Sequence, residues 1–193
     1  MKSERRLEKL SRALRCTQPD LTVVLENIHD PHNVSAILRT CDSAGIRTVN
    51  LLYTLESFPK IGRKSSASAN KWVARKNFKS TRGCYESLRA DGFIVAASVV
   101  DENSISLYEL DMRKKVAFVF GNEHRGVTDE AASLADVRFR IPMYGMVQSL
   151  NVSVACAITI YEALRQRISA GDYARGKISE DEFQRMLEEW VKK

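Results

Sequence analysis

Three clusters of polar residues follow apolar runs that have the length of β-strands. They begin at His29, Gly121 and Gly145, and they read HDPHNVSAILRT, GNEHRG and GMVQSLN. In open α/β sheets, ligands bind beyond the carboxyl ends of the strands. We therefore expect the three clusters to meet at one edge of a sheet and to form a ligand site there.

The first cluster opens a predicted helix that runs to about residue 44. Its apolar residues recur at helical spacing along one stripe: Val34, Ile37, Leu38 and Cys41. Asn33 stands where a helix N-cap is expected, and Arg39 lies on the opposite face, where it could simply be solvated and paired with Asp42. His29 and His32 lack matched cysteine or acidic ligands, so we expect no metal.

The second cluster is a loop bounded by Gly121 and Gly126 around Glu123. Glycines let the backbone approach a ligand closely, although an ordinary strand-to-helix turn could contain the same residues. An acid inside such a loop usually has a partner, which makes Glu123 a candidate site residue. Neither GxGxxG nor GxxxxGK[ST] occurs in the chain, so the usual glycine fingerprints for dinucleotides and triphosphates are missing.

The third cluster is a polar loop before an apolar helix that is predicted from about Asn151 to residue 169. Gly145 and Ser149 belong to this loop. The first turn of a helix carries unpaired backbone N–H groups, which polar side chains or a ligand must satisfy. The loop is therefore either the cap of a buried helix or a site for a polar small molecule.

Charge is concentrated in one segment of this chain of 193 residues and net charge +6. Residues 57–82 contain eight basic and no acidic residues, with Phe58, Trp72 and Phe78 interleaved. Such a block indicates a nucleic-acid footprint, with a solvated loop as the alternative. The chain has no apolar run of transmembrane length, and its N-terminus, MKSERRLEKL, does not resemble a secretory signal. We therefore expect a cytoplasmic protein with no membrane partner.

Predicted strands alternate with predicted helices along the chain. The strands are expected at residues 22–28, 48–53, 93–99, 116–120 and 137–141, and further helices at 3–15, 81–90, 128–135 and 179–191. Continuous apolar strands that alternate with helices predict an α/β fold with an open, mostly parallel sheet and helices on both faces. We expect one domain over residues 1–193, with a helical appendage at 1–20, an α/β core at 21–170 and a C-terminal helix at 171–193.

In this order, the three clusters closely resemble the motifs of the SpoU/TrmH family of RNA ribose 2′-O-methyltransferases. The matching residues are Asn33 followed by Arg39, the FGxExxG sequence from Phe120, and IPM-x-G-x-x-x-SLNVSVA from Ile141. The segment QPDLTVVLENIHDPHNVSAILRTCDSAG looks like the TrmH branch, which methylates a guanosine of the tRNA D-loop at position 18. The resemblance implies the SPOUT fold, with a deep trefoil knot in the C-terminal part of the core.

The resemblance implies S-adenosylmethionine as cofactor. Its adenine would meet the backbone of the knot around Ile141, Met143 and Leu150, and Ser98 and Gly121 would line the same pocket. The implied catalytic residues are Arg39, Asn33, Glu123, Ser149 and Asn151. Arg39 would act as the base or as a clamp on the target phosphate, and the clamp is physically easier because arginine holds its proton tightly. Glu123 is the alternative base or an orienting partner.

The resemblance also implies a homodimer that binds tRNA through its terminal helices and the basic segment. The RNA-binding candidates are Arg5, Arg12, Arg63, Lys64 and Lys71. A ribosomal RNA or another tRNA ribose remains an alternative substrate, although only about twenty residues precede the first strand, where many ribosomal-RNA enzymes carry an RNA-binding domain. A non-catalytic RNA-binding protein on the same fold is the other alternative, and retention of all five catalytic candidates argues against it.

Overall fold

Seven strands form one sheet in the computed structural model, which describes residues 4–59 and 69–193. The strands are β1 (Leu21–Glu26), β2 (Thr48–Leu52), β3 (Ala74–Phe78), β4 (Ile94–Ser98), β5 (Ile105–Ser106), β6 (Val116–Phe120) and β7 (Val137–Arg140). Their order is β3-β2-β1-β6-β4-β7-β5, and every neighbouring pair is parallel. The predicted α/β fold with a parallel sheet is confirmed.

Helices cover both faces of this sheet. They are α1 (Glu4–Arg15), α2 (Pro31–Ser43), α3 (Ala69–Trp72), α4 (Thr81–Ala90), α5 (Asp129–Leu134), α6 (Val152–Ser169), α7 (Asp172–Arg175) and α8 (Glu180–Lys192). Buried residues of α2 and α6 form one core cluster with alternate residues of β1, such as Val23 and Leu25. Val24, which points to the opposite face, packs in a second cluster with α4 and α5.

The two terminal helices pack against each other in a third cluster. Leu10 and Leu14 of α1 meet Phe183 and Trp190 of α8. Trp72 packs against Trp190, with ring centroids 4.7 Å apart. The three aromatic side chains of the basic segment are thus packing residues, since Phe58 and Phe78 also lie against the first two clusters. In the free chain these rings therefore anchor the basic segment to the packed clusters.

Short elements account for most differences from the sequence prediction. β3 lies inside the basic segment that showed little periodicity, and four of its five residues are exposed. An edge strand has one neighbour and needs no apolar pattern, so ARKNF does not read as a strand. The predicted C-terminal helix is preceded by α7, a further helix of four residues.

The helices of the described chain do not meet the requirements of a membrane span. None of those in residues 4–59 and 69–193 is both long enough and apolar enough to cross a bilayer.

Candidate active site

The sheet brings the three polar clusters to one edge. β1 pairs with β6, β6 with β4, and β4 with β7, all in parallel. The loops that follow β1, β6 and β7 therefore leave the sheet on the same side, beyond the carboxyl ends of the strands.

Asn33 lies inside the first turn of α2 and does not cap the helix. The helix begins at Pro31, and the side chain of Asp30 is the N-cap, accepting a hydrogen bond from the N–H of His32 at 2.8 Å. The expectation that Asn33 is the cap is wrong, because a proline at the first helical position moves the helix start upstream. The buried Asn33 amide instead donates through Nδ2 to Oε1 of Glu123 at 2.9 Å.

Glu123 is the acceptor at the centre of the site. Its Oε2 accepts from the N–H of His29 and its Oε1 from the N–H of Asp30, each at 3.0 Å. Burial is the largest single influence and would raise the pKa of Glu123. The hydrogen bonds from Asn33, His29 and Asp30 together outweigh it and hold that pKa below its ordinary value of 4.5. Glu123 is therefore ionised at neutral pH, with both oxygens engaged.

Asn151 connects the third cluster to the other two. It caps α6, because its Oδ1 accepts from the N–H of Ser153 at 2.9 Å and from that of Val154 at 3.4 Å. Its Nδ2 donates to Oδ1 of Asn33 at 3.0 Å. The amide groups thus form a hydrogen-bonded relay, Asn151 to Asn33 to Glu123, that joins one residue from each cluster.

Arg39 lies apart from this relay, exposed on the outer face of α2. It lines a cavity of about 510 Å³ between α2 and α6, together with Thr40, Ser43 and Tyr161. The alternative in which Arg39 pairs with Asp42 is wrong, because Asp42 pairs with Arg47 at 2.6 Å. Arg39 makes no hydrogen bond or ion pair with residues 4–59 or 69–193, so its guanidinium can bind an anion.

The candidate cofactor residues lie at the ends of neighbouring strands. Ser98 ends β4, Gly121 follows β6, and Ile141 follows β7. A Cβ at Gly121 would sit 2.1 Å from the backbone of Gly126, so only glycine allows this loop to close on itself. Gly121 and Gly126 therefore allow the tight closure of the loop that contains Glu123.

The loop before α6 has free backbone groups. Residues 142–150 form no hydrogen bond with any other residue that the structure describes. Met143 is half-buried, whereas Ser149 and Leu150 are exposed. Free N–H and C=O groups beside apolar side chains fit the edge of an adenine and the polar tail of S-adenosylmethionine. Ser149 does not contact the relay.

The RNA-binding candidates are distributed over three places. Arg5 and Arg12 are exposed on α1, and Lys71 is exposed on α3. Arg63 and Lys64 lie outside the described residues. As for metals, no group of three or more histidine, cysteine or acidic side chains within residues 4–59 and 69–193 could hold an ion.

Two further residues of the site, Asn27 and Asn122, were not identified from sequence. Asn27 directly follows β1 and has a left-handed backbone, φ 50°. Asn122 donates from Nδ2 to the carbonyl oxygen of Asn27 at 2.8 Å. Asparagine directly after an apolar run is one of the few non-glycine residues that tolerate this conformation, and that was the available sequence signal.

Known proteins are similar to this chain in sequence and in fold. The model of the SpoU rRNA Methylase family matches residues 20–161. The chain is 42% identical over 192 residues to the tRNA (guanosine(18)-2′-O)-methyltransferase of Thermus thermophilus, covering 100% of this chain and 98% of that protein.

Solved structures give the same result. The TrmH/SpoU tRNA modifying enzyme of Aquifex aeolicus superposes with a TM-score of 0.91 at 38% identity, covering 98% of this chain and 96% of that one. An AdoMet-bound rRNA methyltransferase from Sinorhizobium meliloti superposes with a TM-score of 0.65 at 28% identity, covering 80% and 59%.

Proposed function

We propose that this chain, which belongs to the SpoU rRNA Methylase family, is a tRNA 2′-O-methyltransferase. It transfers a methyl group from S-adenosylmethionine to the ribose 2′-hydroxyl of guanosine 18 in the tRNA D-loop. The observation that carries this proposal is the relay from Asn151 through Asn33 to Glu123, which unites the three family motifs in one hydrogen-bonded unit. The relative from Thermus thermophilus carries the same activity in its name.

The chemistry requires a well-positioned hydroxyl more than it requires a strong acid or base from the protein. S-adenosylmethionine, when bound, supplies a methyl group that is already activated as a sulfonium. The protein must hold the hydroxyl in line with that methyl group, so that an O–CH3 bond forms as the S–CH3 bond breaks, S-adenosylhomocysteine leaves and the hydroxyl proton passes to water. Ile141, Met143 and Leu150 would hold the adenine with their backbone groups, and Ser98 and Gly121 would line that pocket.

Arg39 is proposed as the clamp on the target phosphate. Its guanidinium is exposed and has the planar fork that matches phosphate oxygens. Glu123 is a weak candidate for the base, since its pKa is held below the ordinary value and three hydrogen bonds already engage its two oxygens. Glu123 and Asn33 are proposed to orient the loops, and Ser149 and Asn151 to fix the knot and the target ribose.

The chain topology and the domain plan complete the proposal. The segment from β7 to α6 is proposed to thread a deep trefoil knot, which would bury the free backbone groups of residues 142–150 around the cofactor. One domain spans residues 1–193, with residues 1–20 and 171–193 as helical appendages of the catalytic core at 21–170. The appendages and residues 57–82 would bind tRNA.

A homodimer in the cytoplasm is the proposed working form. Val154, Tyr161 and Ile168 recur every seven residues on α6 and are 46%, 50% and 56% exposed. An apolar stripe on the outer face of a helix is typical of an interface. Sedimentation velocity should give twice the chain mass, and Tyr161→Glu should shift the protein towards the monomer.

Nucleoside mass spectrometry of an unmodified tRNA transcript, incubated with the protein and S-adenosylmethionine, tests the function. We expect 2′-O-methylguanosine at position 18. Arg39→Ala should lower turnover on the order of 100-fold or more, because a misplaced reactant loses most of the benefit of proximity. Arg39→Lys keeps the charge but loses the fork, and it should recover only part of the activity.

A ribosomal RNA substrate is the second candidate. The family description and the relative from Sinorhizobium meliloti both name rRNA. Methylation of ribosomal RNA without methylation of tRNA in the same assay would establish it. Binding of RNA without any methylated nucleoside would leave a non-catalytic RNA-binding protein.

A further inference from the structure

Asn27 directly follows the last residue of β1, at a bend in the backbone. It is 1% exposed, and it is the one non-glycine residue with positive φ among residues 4–59 and 69–193. Left-handed backbone is costly for residues with a Cβ, and its persistence requires that surrounding contacts fix it. Such residues cluster at functional sites. We therefore expect the hydrogen bonds between Asn27 and the neighbouring loops to affect the active site.

The side chain of Asn27 holds the loop that follows β2. Its Oδ1 accepts hydrogen bonds from the N–H groups of Thr54 at 3.0 Å, Leu55 at 3.1 Å and Glu56 at 3.4 Å. Its Nδ2 donates to the hydroxyl oxygen of Thr54 at 3.2 Å. One buried amide therefore organises three consecutive residues of the neighbouring loop.

The backbone of Asn27 holds the loop that follows β6. Its carbonyl oxygen accepts from Nδ2 of Asn122 at 2.8 Å, and its N–H donates to the carbonyl oxygen of Leu52 at 2.9 Å. Asn122 in turn exchanges two backbone hydrogen bonds with Gly126, which closes the loop around Glu123. The loops after β1, β2 and β6 thus meet at Asn27.

The backbone donors that follow the bend at Asn27 point at Glu123. His29 and Asp30 follow it by two and three residues, and their N–H groups donate to the Glu123 carboxylate at 3.0 Å. Asn27 has no hydrogen bond to Glu123, Asn33 or Asn151, so any effect on them passes through the loops.

We infer that Asn27 is a positioning residue for methyl transfer, because its left-handed turn and its hydrogen bonds set where the carboxylate of Glu123 and the amide of Asn33 lie. This inference rests on the proposed function. It adds a residue outside the matched motif residues of the three clusters, one that is 1% exposed.

Three variants separate the contributions of Asn27 from a general loss of stability. Asn27→Gly keeps the left-handed backbone and removes the side chain. Asn27→Asp keeps an acceptor for the N–H groups of Thr54 and Leu55, and aspartate also tolerates the conformation. Asn50→Ala is the matched control: Asn50 is 2% exposed and donates from Nδ2 to Thr22 and Val23, at 3.1 and 3.2 Å, farther from the carboxyl edge.

Steady-state methylation kinetics and thermal melting are measured on all three variants. We expect Asn27→Gly to lower kcat on the order of 100-fold, with the KM for tRNA and the Kd for S-adenosylmethionine within about twofold of the parent, because misplacement by about 1 Å has effects of this size. Asn27→Asp should stay within about tenfold of the parent kcat. Asn50→Ala should lose Tm without losing kcat.

Titration of the Glu123 carboxyl carbon by NMR gives a readout that does not depend on activity. The signal is assigned by its absence in Glu123→Gln. If Asn27 aims His29 and Asp30 at Glu123, Asn27→Gly weakens those hydrogen bonds and moves the pKa of Glu123 upward, towards its ordinary value of 4.5. Asn50→Ala should leave that pKa unchanged.

An unchanged kcat and an unchanged Glu123 titration in Asn27→Gly would overturn the inference. A loss of kcat that Asn50→Ala reproduces at the same loss of Tm would also overturn it. If Asn27→Gly does not fold, the kcat of Asn27→Asp and the titration of Glu123 in that variant are used to test the inference. Should the parent protein methylate no RNA, the proposed function fails, and the carboxyl titration still tests the positioning of Glu123.

Discussion

Both oxygens of Glu123 accept hydrogen bonds, from the amide of Asn33 and from two backbone N–H groups. A general base works best with a pKa near the operating pH and with a free lone pair that faces the proton. Glu123 is poorly suited to this role, because its donors hold its pKa below the ordinary value and three hydrogen bonds already occupy most of its lone pairs. At the scale of single residues, the hydrogen bonds of the relay fix positions, and Arg39 is an exposed charge outside the relay.

The lowered pKa of Glu123 makes a prediction about stability and pH. A carboxyl group whose pKa is lower in the folded chain stabilises the fold above its ordinary pKa, and this stabilisation is lost as the pH falls through the folded value. We therefore expect the free energy of unfolding of the parent protein to exceed that of Glu123→Gln at pH 7. The difference should shrink below about pH 4.5.

Urea unfolding between pH 3 and pH 7 measures that difference. Glu188→Gln, at an exposed position of α8, is the control and should give no pH-dependent difference. A gap between parent and Glu123→Gln that stays constant over the whole range would contradict the assignment. It would mean that the amide loses shape or packing and that the charge of Glu123 contributes nothing.

At the scale of elements, α6 explains why polar residues precede an apolar helix. The Asn151 side chain satisfies N–H groups at the start of α6 through its oxygen and reaches Asn33 through its nitrogen. One amide therefore closes the helix and joins it to the site. The two roles use different atoms, so substitution can separate them.

Asn151→Asp should keep the cap and lose the link to Asn33. Aspartate caps helices about as well as asparagine, so the free energy of unfolding should stay close to that of the parent. Turnover should fall on the order of 100-fold, because the donor to Asn33 is gone and a carboxylate faces its oxygen. Asn151→Ala should lose turnover and also about 1 kcal/mol of stability.

Urea unfolding and single-turnover methylation are measured on the same preparations. Ser179→Ala removes the cap of α8, where the serine hydroxyl accepts from the N–H of Glu182 at 3.2 Å. It should cost a similar amount of stability at unchanged turnover. Full activity in Asn151→Asp would show that the link to Asn33 is dispensable.

Elements with strong local patterns were predictable, and those defined by distant contacts were not. The predicted bounds of the helix at residues 81–90 and the strand at 116–120 match α4 and β6, where apolar spacing is regular. The exposed strand β3 exists because β2 offers it hydrogen bonds. Likewise, Arg167 is 0% exposed and reaches backbone carbonyls of Met112 and Lys114, which no local pattern reveals.

The same division holds for the site. The sequence order of the motifs predicted that Asn33, Glu123 and Asn151 belong together, and the structure joins them by hydrogen bonds. Asn27 was not predicted as a site residue, because its hydrogen bonds are to Thr54 and Asn122, which lie 25 or more residues away in the sequence. A positive φ is visible only in the folded chain.

At the scale of the whole molecule, one face of α1, away from the relay, carries exposed positive charge. Arg5, Lys9 and Arg12 recur at helical spacing on α1 and are exposed, while the apolar side of α1 packs against α8. A helix held in this way offers a row of cations to a polyanion. If α1 binds tRNA phosphates, its arginines should contribute to affinity and to its salt dependence.

The double variant Arg5→Ala/Arg12→Ala should weaken tRNA binding and flatten its dependence on salt. Each lost phosphate contact lowers the slope of log Kd against log salt by about 0.7 to 0.9, so two contacts should lower it by about 1.5. The kcat should stay within about twofold, since α1 lies outside the relay. Arg113→Ala/Lys114→Ala removes the same charge before β6, at the amino edge of the sheet, and should leave the slope unchanged. Equal slopes for the two double variants would mean that only net charge matters and that α1 makes no specific contact with the RNA.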